Sequence, residues 1–191
     1  MNNIPDYYEY KKLLKERLSP ERYQHSLAVA DEAYRLAQKY DANTDKCYLA
    51  GLLHDITKNA SKEEHLNIFK TFGIILNDVE KNAQKLWHAI SGAAFVKYIL
   101  LINDDEIIDA IRYHTTAKQD MSKTALILYL ADFTSADRNY NDVDIMRKLV
   151  DISLIDALKY ALSYSINDLI NNKKMIHVDT VNLHNQILLK G

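Results

Sequence analysis

Four glycines and two prolines in 191 residues leave this chain almost without the residues that turn a backbone sharply. Ordinary chains carry the two at roughly 12% together. A β-sandwich or barrel needs turn signals every ~8–12 residues, and doubly wound α/β folds need glycine at their strand-to-helix turns. Neither supply is present, so the chain is expected to be all-α. No repeat, low-complexity stretch or dividing linker interrupts it, and residues 1–191 read as a single domain. A compact chain of this size buries roughly 70% of its unfolded surface, so neither a metal nor a disulfide is required merely to fold it.

Helix starts are legible from capping chemistry, in which a Ser, Thr, Asp or Asn side chain accepts free amides and a Glu three residues on reaches back. Ser19-Pro20-Glu21 opens a helix with Pro at its first position, and Ser61-Lys62-Glu63-Glu64, Asn77-Asp78-Val79-Glu80 and Asn103-Asp104-Asp105-Glu106 fit the capping-box spacing. Thr44, Ser122 and Ser153 are plainer caps. Apolar periodicity between these signals predicts helices near 6–17, 20–40, 45–55, 62–71, 79–101, 105–114, 123–136, 143–150, 154–171 and 179–189.

Lys and Arg total 24 against 26 Asp and Glu, a net charge of -2, which lacks the basic excess of a dedicated nucleic-acid binder. The longest apolar runs, such as Ile99-Leu100-Leu101-Ile102, are far too short to span a membrane. One cysteine, Cys47, excludes an internal disulfide framework, and Met1 to Tyr8 show no apolar core with a cleavage site. A cytoplasmic location is the consistent expectation. Tyr7, Tyr8 and Tyr10, with Leu13, Leu14 and Leu18, fit either a terminal helix covering the core or a contact in a homodimer.

Several polar groups stand where the core should be. On helical spacing His25 shares its stripe with Ala28, Val29 and Leu36; His54 follows Cys47, Ala50 and Gly51; His88 precedes Ser91, Gly92 and Phe95. His114 follows Ile107, Ala110 and Ile111, and Asp132 follows Ala125 and Leu128. A carboxylate on such a stripe is costly unless it is hydrogen-bonded, paired or bound to a metal. The stripe alone does not identify ligands, because His184 passes it too, beside Val181, Ile187 and Leu188. The adjacent His54-Asp55 at a helix end is the less common element: neighbours point about 100° apart and reach one ion only from different sides. Neutral imidazoles with carboxylates suit Fe, Mn, Zn or Ni.

The order His25, His54-Asp55, His88, His114, Asp132 resembles the HD-domain metal-dependent phosphohydrolases, and more closely their YqeK-type symmetrical dinucleoside tetraphosphatases. The segments that carry the likeness are Arg22-Tyr23-Gln24-His25-Ser26, Ala50 to Lys58, Ala110 to Thr116, Met121-Ser122 and Leu130-Ala131-Asp132, ending with Arg138. Ile176-His177-Val178-Asp179-Thr180 and Asn185 match more weakly. The family usually continues Asp-Tyr-Ile-Glu-Pro from its last ligand, whereas here the run is Asp132-Phe133-Thr134-Ser135-Ala136.

The resemblance implies an HD-domain helical bundle with its core at about 18–148 and helices 150–191 completing the site. It implies that His25, His54, Asp55 and Asp132 hold a divalent ion, iron first and manganese or another transition metal after it. One ion is favoured over two. Asp55 would orient the attacking water, with His88 and His114 contacting phosphate or, in the two-ion alternative, ligating. Arg22, Lys58 and Arg138 would meet the phosphates, and Ile176, His177 and Val178 would close over the base. The implied reaction is hydrolysis of diadenosine tetraphosphate into two ADP. Alternatives are an HD phosphohydrolase acting on another nucleotide and a non-enzymatic nucleotide-binding protein. An alarmone substrate is disfavoured, because the Glu-Asp dipeptide of such hydrolases occurs nowhere in the chain.

Overall fold

Side-chain caps set the helix starts in the computed structural model, which describes residues 7–190. Ser19, Ser61, Ser122 and Ser153 each accept a backbone amide three residues on, and Asn77 with Glu80 closes a complete capping box. Two caps sit one residue from their expected places: Asn43 rather than Thr44 caps the third helix, and Asp104 rather than Asn103 caps the seventh. The helices are α1 Tyr8–Arg17, α2 Pro20–Lys39, α3 Thr44–Leu53, α4 Lys62–Thr71, α5 Asp78–Asn82, α6 Trp87–Ala94, α7 Asp105–Tyr113, α8 Lys123–Thr134, α9 Val143–Ile152, α10 Leu154–Asn171 and α11 Val178–Lys190. No strand occurs among the described residues. Residues 1–6, which hold most of the Met1–Tyr8 segment and Asp6 at the start of the first predicted helix, lie outside them.

The continuous helix expected over 79–101 is instead broken. After α5 the backbone leaves helical geometry at Ala83 (φ -113, ψ 73), passes through a 3-10 turn at Gln84–Leu86, re-enters α6, and ends in a π turn at Phe95–Ile99. The break has a physical cause, because it lets Trp87 Nε1 donate to Glu80 O at 2.6 Å while the Glu80 carboxylate pairs with Arg112 of α7. Burial would raise the Glu80 carboxyl, but the Asn77 amide and Arg112 hold it below its ordinary range. A straight helix would lose these partners.

α3 lies at the centre, packed on α2, α7 and α8, with α6 against α7 and the α9–α10 pair against α8. Its approach to α2 requires Gly51, since a Cβ there would stand 2.8 Å from Ala30 Cα. Overpacking of that kind costs about 1–3 kcal/mol. Leu52, Leu53, Ile56, Ile111, Leu128 and Leu130 are fully buried, each contributing about 1.5–3 kcal/mol of hydrophobic stabilisation. The same close contact brings His25 of α2 to His54 at the end of α3, their ring centroids 5.3 Å apart. Among the described residues no helix is long and apolar enough to cross a membrane.

Candidate metal centre

Five helix ends or turns deliver the polar residues that the stripes singled out. His25 comes from the first turns of α2, and His54 and Asp55 follow the last residue of α3. His88 is the second residue of α6, His114 follows α7, and Asp132 stands in the last turn of α8. His25, His54, Asp55, His88 and His114 are all buried. Ligand-type atoms of His25, His54 and Asp55 lie within 4.8 Å of one another, and the same holds for His54, His114 and Asp132 and for Asp55, His88 and His114. His25 Nε2 lies 3.0 Å from Asp132 Oδ1.

Tautomers decide what this cluster can do. His54 Nδ1 meets Gly51 O at 2.6 Å and His114 Nδ1 meets Ile111 O at 2.7 Å. A carbonyl only accepts, so each Nδ1 carries the proton and each Nε2 of the neutral ring presents a lone pair inward. His54 Nε2 and Asp55 Oδ1 are buried with no hydrogen-bond partner among the described residues. Inward lone pairs beside carboxylates repel unless a cation lies between them, so the donor set fits a divalent transition ion.

Three cations ring the carboxylates. Arg22 donates to Asp55 Oδ2 at 3.0 Å, Lys58 Nζ lies 3.5 Å from Asp55 Oδ1 and 3.0 Å from His88 Nε2, and Arg138 pairs with Asp132. Burial would raise the Asp55 and Asp132 carboxyls, yet neighbouring His54 for the first, and His25 with Arg138 for the second, hold both well below the usual range. His88 is pushed well down, by burial first and by His114 next, which keeps it neutral at pH 7. The near-neutral net charge of the chain thus conceals a local concentration of positive groups.

The remaining expected residues stand apart from this cluster. His177 is buried against Asn77 Nδ2 (3.0 Å) and Glu80 (3.4 Å), with Ile176 half-buried and Val178 exposed beside it. It lines a cleft of about 600 Å³ with Leu86, Thr115, Thr116, Lys173 and Lys174, next along the chain from His114. His65 is buried, and its Nδ1 meets Ser91 Oγ at 2.8 Å. Sequence reasoning missed Asp137, whose Oδ2 lies 2.7 Å from His25 Nδ1. Its place just before Arg138 was the available signal, but a loop residue escapes any test based on helix faces.

An all-helical bundle carrying this His/Asp cluster defines a class, and the comparisons agree. The HD domain family matches residues 22–137. A Halalkalibacterium halodurans protein named bis(5'-nucleosyl)-tetraphosphatase, symmetrical, is 32% identical over 94% of this chain and 95% of its own length. A Staphylococcus aureus protein of the same name is 37% identical over 73% of this chain and 71% of its own. A solved Clostridium acetobutylicum structure, described as a predicted HD superfamily hydrolase involved in NAD metabolism, superposes with a TM-score of 0.93 at 31% identity, covering 98% of this chain and 100% of that one. The chain belongs to the HD-domain family and, within it, to the family of the symmetrical bis(5'-nucleosyl)-tetraphosphatases.

Proposed function

We propose that this protein is a divalent-metal-dependent hydrolase that splits diadenosine tetraphosphate symmetrically into two molecules of ADP in the cytoplasm. The observation that carries the reading is the convergence of inward imidazole Nε2 atoms on two carboxylates, ringed by Arg22, Lys58 and Arg138. The shared name of the relatives supports the substrate.

His25, His54, Asp55 and Asp132 hold the ion, iron first among the candidates. When bound, the ion supplies Lewis acidity at a phosphoryl group and lowers the pKa of water. Asp55 orients the attacking water with Oδ1, the carboxylate oxygen that has no hydrogen-bond partner. Arg22, Lys58 and Arg138 bind the phosphate oxygens, Arg138 with the planar fork that suits them. His88 and His114 face the same phosphate. The cleft beside Thr115, Thr116 and His177 takes the nucleoside. The water oxygen ends on one ADP, and the bridging oxygen leaves with the other. A two-ion version has one specific support: His114 Nδ1 is engaged by the Ile111 carbonyl, which leaves Nε2 facing the centre, and Asp55, His88 and His114 form a third compact cluster.

The test is a panel of dinucleoside polyphosphates and mononucleotides offered to metal-loaded protein, with products separated by chromatography and bound metal counted. ADP as sole product from diadenosine tetraphosphate, lost on chelation and regained with iron or manganese, is the expected result. ATP plus AMP, or no turnover with either metal, contradicts the proposal.

A further inference from the structure

Three imidazoles of the centre are oriented from behind, and one of the three supports differs in kind. Behind His54 and His114 stand main-chain carbonyls, which no substitution removes. Behind His25 stands a side-chain carboxylate, Asp137 Oδ2, 2.7 Å from Nδ1. We propose that Asp137 is a positioning residue of the metal centre: it accepts the Nδ1–H of His25, fixes Nε2 as an inward lone pair beside Asp132, and strengthens the ring as a ligand through its negative charge. The inference rests on the metal-centre reading above.

The surroundings show that this carboxylate is held in place for its contact. Ser135 is fully buried and donates its hydroxyl to Asp137 Oδ1 at 2.7 Å, leaving Oδ2 for the imidazole. Arg147 of α9 fastens the turn that carries both residues, donating to the carbonyls of Thr134 (3.2 Å), Ser135 (2.9 Å) and Arg138 (3.0 Å). On the inner face Nε2 stands between Asp132 Oδ1 at 3.0 Å and Arg138 at 3.5 Å, so with the proton on Nδ1 it is the ring atom left to meet a cation. Two residues on from Ser135, then, a short turn aims one carboxylate at the back of one ligand.

Titration of Co²⁺ into the metal-stripped full-length chain, followed by visible absorption, tests the role apart from catalysis. Asp137→Ala is expected to weaken Co²⁺ binding about 10–100-fold, the usual cost of removing a partner behind a ligating histidine, and to alter the absorption band. Asp137→Asn keeps an oxygen that accepts the Nδ1–H but lacks the charge, so its affinity falls between the two. The unfolding midpoint of the metal-free protein stays that of the wild type in both variants. Wild-type affinity and an unchanged band in Asp137→Ala overturn the proposal. A loss of affinity matched by a lower metal-free midpoint, with no recovery in Asp137→Asn, also overturns it and assigns a structural role. If the wild-type chain itself binds no Co²⁺, the metal centre fails, and this inference with it.

Discussion

Asp132→Asn is expected to lose its ion and its hydrolytic activity together while keeping its helical content. The substitution preserves shape but replaces a carboxylate with a neutral amide, the poorer partner for a divalent cation. Asp132 lies in the last turn of α8, 3.0 Å from His25 Nε2, and is the main counter-charge of the Arg138 guanidinium. Removing its charge therefore leaves a cation beside a ligand position that the ion must share. The loss should exceed the roughly 10–100-fold that follows removal of a residue behind a ligand. Elemental analysis with a steady-state assay reads both quantities, and circular dichroism checks the fold. A variant with full metal and full turnover would show the ligand set to be wrong.

Arg138→Met should separate the two properties that Asp132→Asn removes at once. Its guanidinium is placed by a 2.5 Å bond from Nε to Asp132 O and stands within 3.5 Å of His25 Nε2, so under the proposed function it borders the reacting phosphate. It ligates nothing, and a long apolar side chain fills the same space without charge. Metal content is expected to stay at the wild-type level while kcat/KM falls about 10²–10³-fold, the range for losing one preorganised donor to developing charge. Arg138→Lys should fall between, retaining charge without the fork. Unchanged kcat/KM in Arg138→Met, or loss of metal along with activity, contradicts the assigned role.

Local rules carried the helical architecture well and tertiary partnerships poorly. Caps at Ser19, Ser61, Asn77, Ser122 and Ser153 stand where the spacing placed them, because a cap is decided within four residues. The break at Ala83 was invisible for the opposite reason: its causes are the Trp87–Glu80 bond and the Arg112 pair, and Arg112 lies on another helix. At the centre, stripes nominated His25, His54, His88, His114 and Asp132 one by one, and the fold brings all five together. The stripes could not show which nitrogen each ring turns inward. That depends on Gly51 and Ile111 carbonyls close in sequence but also on Asp137, 112 residues from His25. The basic groups were legible only through the resemblance, since spacing alone leaves Arg22, Lys58 and Arg138 indistinguishable from solvated surface charge.

The inward Nε2 atoms of His25 and His54 and the carboxylates of Asp55 and Asp132 are proposed to hold one divalent ion. Anomalous X-ray diffraction at the metal absorption edge, on crystals of the metal-loaded protein, addresses it most directly. An anomalous peak bonded to all four residues is expected; its absence, or a peak seated elsewhere in the chain, would show that these four do not hold the ion.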